Sequence, residues 1–166
     1  MISREAATVS LQNKALLTCP SGEAQAIFQH GLASAGFESV SSYAAVGEVV
    51  TLIERLSPDI AVGLFPDSGE LTLKALAKLP RERRCPTVMF VARATNQTIR
   101  IAVEAGVGAY VVDGFAPSRV TPAIMLALSR FQTQRRLEDD LAQARNAVAE
   151  RKLVERAKGI LMQARG

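Results

Sequence analysis

The residues best suited to chemistry crowd the carboxyl-terminal stretch of the chain. Arg151, Lys152, Arg156 and Lys158 stand beside an apolar face of Leu153, Ala157, Ile160 and Ala164, spaced four, three and four. That spacing is helical, and Arg and Lys on a helix can neutralise phosphates. A solvated helix face is the plainer reading of the same cations. Elsewhere the sequence is sparing. His30 is the single histidine and reads as a half-buried packing residue of the first helix. Cys19 and Cys85 fit neither a disulfide framework nor a zinc pattern and read as small buried hydrophobes. Gly-rich phosphate loops, metal-ligand spacings and nucleophile triads do not occur, so the chain reads as a non-enzyme without a catalytic residue, metal or cofactor.

Composition sets the frame for these residues. The chain has 166 residues, 48% of them hydrophobic, enough for one domain with its own core and an appendage. A net charge of +4 does not by itself imply a polyanionic partner, but its placement is uneven. From Arg135 onward stand Arg135, Arg136, Arg145, Arg151, Lys152, Arg156, Lys158 and Arg165 against Glu138, Asp139, Asp140, Glu150 and Glu155. No basic-then-apolar leader and no bilayer-length apolar run is present. A cytoplasmic protein without a membrane partner is expected.

Five short apolar runs alternate with helical patterns. Strands are expected at 14–19, near 37–41, at 60–65, 87–91 and 109–112. Ser21 is placed to cap a helix from Glu23 to Ala35 with Ala24, Ile27, Phe28, Gly31 and Leu32 inward. Further helices are expected over 46–56, over 69–79 and from a Thr95 cap through Glu104, with Arg81-Glu82-Arg83-Arg84 as a solvated corner. Apolar strands alternating with helices at this spacing predict a doubly wound, flavodoxin-like parallel sheet covered on both faces.

After Pro117 the pattern changes to one long helix, with Pro122 expected in its tolerant first turn. Ile124, Leu128 and Phe131 are expected to pack on the sheet. Leu137, Leu141, Ala144 and Val148 follow at four, three and four, a seam too narrow for a globular core and suited to a coiled coil. A parallel homodimer is the expectation, an extended single helix the alternative.

Residues 14 to about 131 resemble the receiver domain of bacterial response regulators. That resemblance implies phosphoryl transfer to an aspartate ending strand three, with an acidic pair after strand one holding magnesium. A hydroxyl after strand four and a lysine after strand five would complete the site. This sequence departs at each place. Cys19-Pro20-Ser21 follows strand one, with the first acid at Glu23. Pro58-Asp59-Ile60-Ala61-Val62-Gly63 puts Leu64 at the acceptor position. Val91 stands at the hydroxyl position, and Tyr110-Val111-Val112-Asp113-Gly114 puts Asp113 at that of the lysine. Asp67 is the one possible substitute acceptor, and its ordinary role is a turn before Ser68-Gly69. The domain is expected to be a pseudo-receiver.

Arg151-Lys152-Leu153-Val154-Glu155-Arg156-Ala157-Lys158-Gly159-Ile160-Leu161-Met162 resembles the first-helix signature of the ANTAR family of RNA-binding transcription antiterminators. The Asp113-Gly114 ending resembles the nitrate-assimilation, NasT-like members. The resemblance implies binding to leader-RNA hairpins, with Arg151, Lys152, Arg156 and Lys158 as RNA contacts. It also implies control by a sensor resembling a nitrate- or nitrite-binding solute-binding protein. Leu153, Ala157, Ile160 and Leu161 would join a three-helix core, and Gly159 would admit a neighbouring helix. The signature's first helix ends near Gly166, so these residues by themselves are expected to bind RNA poorly.

The expected organisation is a tail over 1–13, a pseudo-receiver over 14–131, a coiled-coil linker over 132–150 and the start of an ANTAR domain over 151–166. The rival reading is an interaction and dimerisation module without RNA binding. A phosphoryl-accepting regulator is the third, weakened by Leu64, Val91 and Asp113.

Overall fold

The computed structural model of the chain describes residues 13–20, 22–43 and 46–165. The expected tail lies outside them apart from Asn13, and so does Ser21, the expected first cap. The elements are β1 (Lys14–Thr18), α1 (Glu23–Ser34), β2 (Ser39–Tyr43), α2 (Val49–Leu56), β3 (Ile60–Phe65) and α3 (Glu70–Ala77). Then come β4 (Thr87–Val91), α4 (Asn96–Glu104), β5 (Ala109–Val112) and α5 (Pro117–Ala164), with 3-10 turns at Val46–Glu48 and Arg81–Arg83. Two compact units divide the chain, Met1–Phe131 and Gln132–Gly166.

In the first unit all strands pair in parallel in the order β2-β1-β3-β4-β5. Alternation along each strand feeds two cores. Leu17, Val62, Val88 and Phe90 meet Phe28 and Leu32 of α1 and Val120, Ile124 and Ala127 of α5. Leu16, Ala61, Met89 and Val91 meet Leu52 and Ile53 of α2, Leu73 and Leu76 of α3 and Ala102 of α4. Each fully buried large side chain of this kind contributes roughly 1.5–3 kcal/mol. Gly31 lets α1 approach α5 closely: a Cβ there would stand 2.5 Å from Val120 Cγ1. The order reverses direction between β1 and β3, and their carboxyl ends flank the crevice where such sheets place their sites.

Thr95 caps α4 in a reciprocal box with Thr98. Several expectations are corrected. β2 starts two residues later than expected, because Gly36 (φ 93) turns the chain and the Phe37 N–H closes back on Leu32 O at 3.0 Å. That cap draws Phe37 into the core instead of the sheet. His30 is exposed, since Phe28, Gly31 and Leu32 occupy the inward side of α1. Arg84 is half-buried at the expected solvated corner, its guanidinium donating to Leu79 O at 3.0 Å and Ala77 O at 3.1 Å. Cys19 is buried but Cys85 only half so. Pro122 lies inside α5, because the helix starts at Pro117. Its missing donor falls past the free first turn, opposite the exposed Ser118.

Candidate functional site

The carboxyl ends of β1, β3, β4 and β5 carry Cys19 and Asp113 just past their strands and Leu64 and Val91 within theirs. Cys19 is buried, and its N–H donates to Tyr43 O at 2.9 Å. Glu23 stands exposed in the first turn of α1. Leu64 pairs with Phe90 across the sheet and packs half-buried on the core beneath α1 and α5. That core is aromatic at this end: the Phe28 and Phe90 rings meet edge-on at 5.0 Å, and Phe115 tilts onto Phe28 at 5.2 Å.

Across the sheet from Leu64, on its opposite face, the space is also filled. A Cβ on Gly63 would stand 2.5 Å from Phe65 Cε2 and 2.9 Å from Thr18 Oγ1, so glycine there admits the Phe65 ring. Val91 is buried on that same face, with Phe65. Asp113 is exposed at φ 65 and, with Gly114 at φ 73, turns the chain back toward Phe115. Apolar side chains therefore occupy the acceptor and hydroxyl positions. Among the described residues no group of three His, Cys, Asp or Glu could hold a metal ion.

Asp67 serves the turn expected of it: its Oδ1 accepts from the Gly69 N–H at 2.7 Å. The Ala92 N–H donates to Phe65 O and Asp67 O at 3.2 and 3.1 Å, fastening this loop to β4. Tyr110 fastens it to β5, its hydroxyl donating to Ser68 O at 2.7 Å. Sequence reasoning missed Tyr110 and the Phe28–Phe90–Phe115 group. A tyrosine in an otherwise apolar strand was the available signal, since a buried ring keeps its hydroxyl only with a partner. Burial pushes the Cys85 thiol, at the other end of the sheet, up to about 12.

In the second unit Leu137, Leu141 and Val148 each expose more than half of their surface, and Ala144 is exposed with them. Leu153, Val154, Ile160, Leu161 and Met162 are as open, and a Cβ on Gly159 would meet nothing within 4 Å. Arg151, Lys152, Arg156 and Lys158 are all exposed. At about 100° per residue, the seam Leu137–Val148 and the stripe Leu153–Ala164 face roughly 160° apart on the helix. They are two separate apolar faces, and the sequence spacing did not make that plain.

No family model matches the chain. The transcriptional regulatory protein PdtaR of Mycobacterium tuberculosis is 34% identical over 131 residues, 79% of this chain and 64% of that protein. Among solved structures, a CheY-like response regulator receiver domain from Methanospirillum hungatei covers 73% of this chain with 97% of its own at a TM-score of 0.56 and 20% identity. The receiver domain of a LuxO-type repressor from Vibrio parahaemolyticus covers 75% with 96% of its own at 0.57 and 16% identity. At such identities the structures speak for the fold, and the sequence relationship speaks for descent. The chain has the receiver fold of response regulators, continued by a long carboxyl-terminal helix, and is homologous to a bacterial transcriptional regulatory protein.

Proposed function

We propose that the chain is the receiver and dimerising portion of a transcription antiterminator that binds leader-RNA hairpins through an ANTAR module begun at residues 151–166. The observation carrying this reading is an exposed, basic, amphipathic helix segment at 151–164 on a chain homologous to a transcriptional regulator. Its cations are placed to meet phosphates, and hairpin loops offer unstacked bases to neighbouring side chains. Two copies paired through Leu137, Leu141, Ala144 and Val148 suit two adjacent hairpins, since avidity rises when both sites engage.

The receiver in this reading is blind to phosphorylation. Leu64 has no oxygen to accept a phosphoryl group, Val91 no hydroxyl and Asp113 a charge of the wrong sign to stabilise phosphoryl oxygens. Control then falls to protein contact, with a sensor resembling a nitrate- or nitrite-binding solute-binding protein as the proposed partner. A second reading, an interaction module without RNA binding, is favoured by the open apolar seam alone. Selection from an RNA pool carrying paired short hairpins, by the chain continued through a complete three-helix ANTAR module, separates them. Enrichment of hairpin pairs with shared loop sequences is expected. Recovery of unrelated RNAs, held no better than an unstructured strand, leaves the second reading.

A further inference from the structure

The seam and three of the four cations Arg151, Lys152, Arg156 and Lys158 share one side of α5. Taking about 100° per residue from Leu137, the seam residues point near 10°, Arg151, Lys152 and Lys158 fall within about 70° of that direction, and Arg156 stands at the flank about 90° away. The stripe of Leu153, Ala157, Ile160 and Ala164 points the opposite way. Continuing the seam's steps of three and four past Val148 reaches Arg151, Glu155, Lys158 and Met162.

In a parallel pair these would be facing layers: arginine on arginine, glutamate on glutamate, lysine on lysine. Desolvating three successive like-charged layers is unfavourable without a matching partner. The apolar contact therefore ends at Val148, and the helices part. Within the seam the charges favour the parallel pair. Asp140 precedes the Leu141 layer and Arg145 follows the Ala144 layer. A residue preceding one layer meets the one five places on in the other copy, so Asp140 comes beside the second copy's Arg145, twice.

We propose that two copies of α5, paired in parallel over Leu137–Val148, fork beyond Val148, and that the inner walls of the fork clamp the phosphate backbone of an RNA hairpin stem. This rests on the dimeric, RNA-binding reading above and adds where the RNA lies. Each wall carries Arg151, Lys152 and Lys158 against Glu155 alone, with Arg156 at its edge, and an anionic backbone between the walls removes the repulsion that parts them. The outer faces, with Leu153 and Ile160, stay open to other elements. Backbone clamping of this kind is salt-dependent and tolerant of sequence, so it leaves the choice of loop to other contacts.

Fluorescence anisotropy of a labelled RNA hairpin titrated with the chain at several salt concentrations tests this. The variant R151E/K158E reverses two cations on each inner wall, and R83E/R136E makes the same charge change at exposed positions off that face. Losing four phosphate contacts per dimer should lower the log–log salt slope by about 3 and weaken binding at low salt at least roughly tenfold. R83E/R136E should lose less than about threefold, the residue of bulk charge. L141D, checked for helix content by circular dichroism, should be monomeric and as weak as R151E/K158E. Equal losses in both charge variants overturn the fork and leave the RNA reading to the hairpin selection. So does undiminished binding by monomeric L141D. A dimer that holds no hairpin even at low salt overturns it too, and a DNA hairpin held equally well overturns RNA as the occupant. A monomeric wild-type chain removes the fork and the dimeric reading together.

Discussion

Placing an aspartate at Leu64 should cost stability without creating a phosphoryl acceptor. Leu64 is half-buried on the core that holds Phe28, Phe90 and Phe115. Full burial of a leucine contributes roughly 1.5–3 kcal/mol, so losing half of it costs about 1 kcal/mol. A carboxyl group set against phenylalanine rings adds a penalty of about 1–3 kcal/mol, eased where its edge reaches water. L64D should thus lose about 2–4 kcal/mol, lowering the melting temperature by roughly 4–16 °C for a chain of this size. Intact-mass spectrometry after incubation with acetyl phosphate and magnesium should show no phosphoryl adduct on L64D or on the wild type. The reason is that no acid pair stands after β1 to hold the metal, Val91 offers no hydroxyl and Asp113 repels the incoming group. An adduct on L64D would refute the reasoning that the whole crevice, rather than one residue, has lost the chemistry. A melting temperature within a degree or two of wild type would refute the packing account.

Tyr110→Phe removes the hydroxyl bond to Ser68 O and should cost about 1 kcal/mol; amide exchange at Ser68 and Gly69 should quicken while exchange in β4 stays slow. The Cys85 thiol keeps its proton up to about 12 when folded and loses it near 9.0 when unfolded. Below 9 both states are protonated and the thiol is neutral in effect; as pH rises from about 9 toward 12 the unfolded state gains by ionising and stability falls. Denaturation midpoints should therefore drop across that window in wild type and drop less in Cys85→Ala. Leu141 is about half exposed in the single chain, so Leu141→Ala should remove about 1 kcal/mol per copy and weaken the dimer roughly thirtyfold by sedimentation.

The parts of the fold legible in the sequence were those with a strong local cause. β3, β4 and β5 match their apolar runs at both ends, and Thr95 caps α4 as its position predicts. The difficult places were those where a tertiary contact outweighed the local pattern. Ser39–Tyr43 is a polar edge strand with little periodicity, and Phe37 beside it looked more strand-like until the Gly36 turn sent it inward. His30 was misplaced because only the packed neighbours Phe28 and Leu32 decide which way α1 faces. At the crevice, the residue types at Leu64, Val91 and Asp113 could be read directly. The aromatic filling behind them could not, because Phe28, Phe90 and Phe115 come from three distant segments. In α5 the spacing of each apolar stripe was visible, but their opposition emerges only when both are set on one continuous helix.

In the proposed reading this receiver works through helix pairing and not through phosphoryl transfer. Light scattering across a concentration series, with and without acetyl phosphate and magnesium and beside a chain ending at Thr133, tests it most directly. A dimer whose dissociation constant ignores acetyl phosphate is expected, and a monomer once residues beyond Thr133 are removed. A dimer strengthened by acetyl phosphate, or one that persists without the seam, would contradict it.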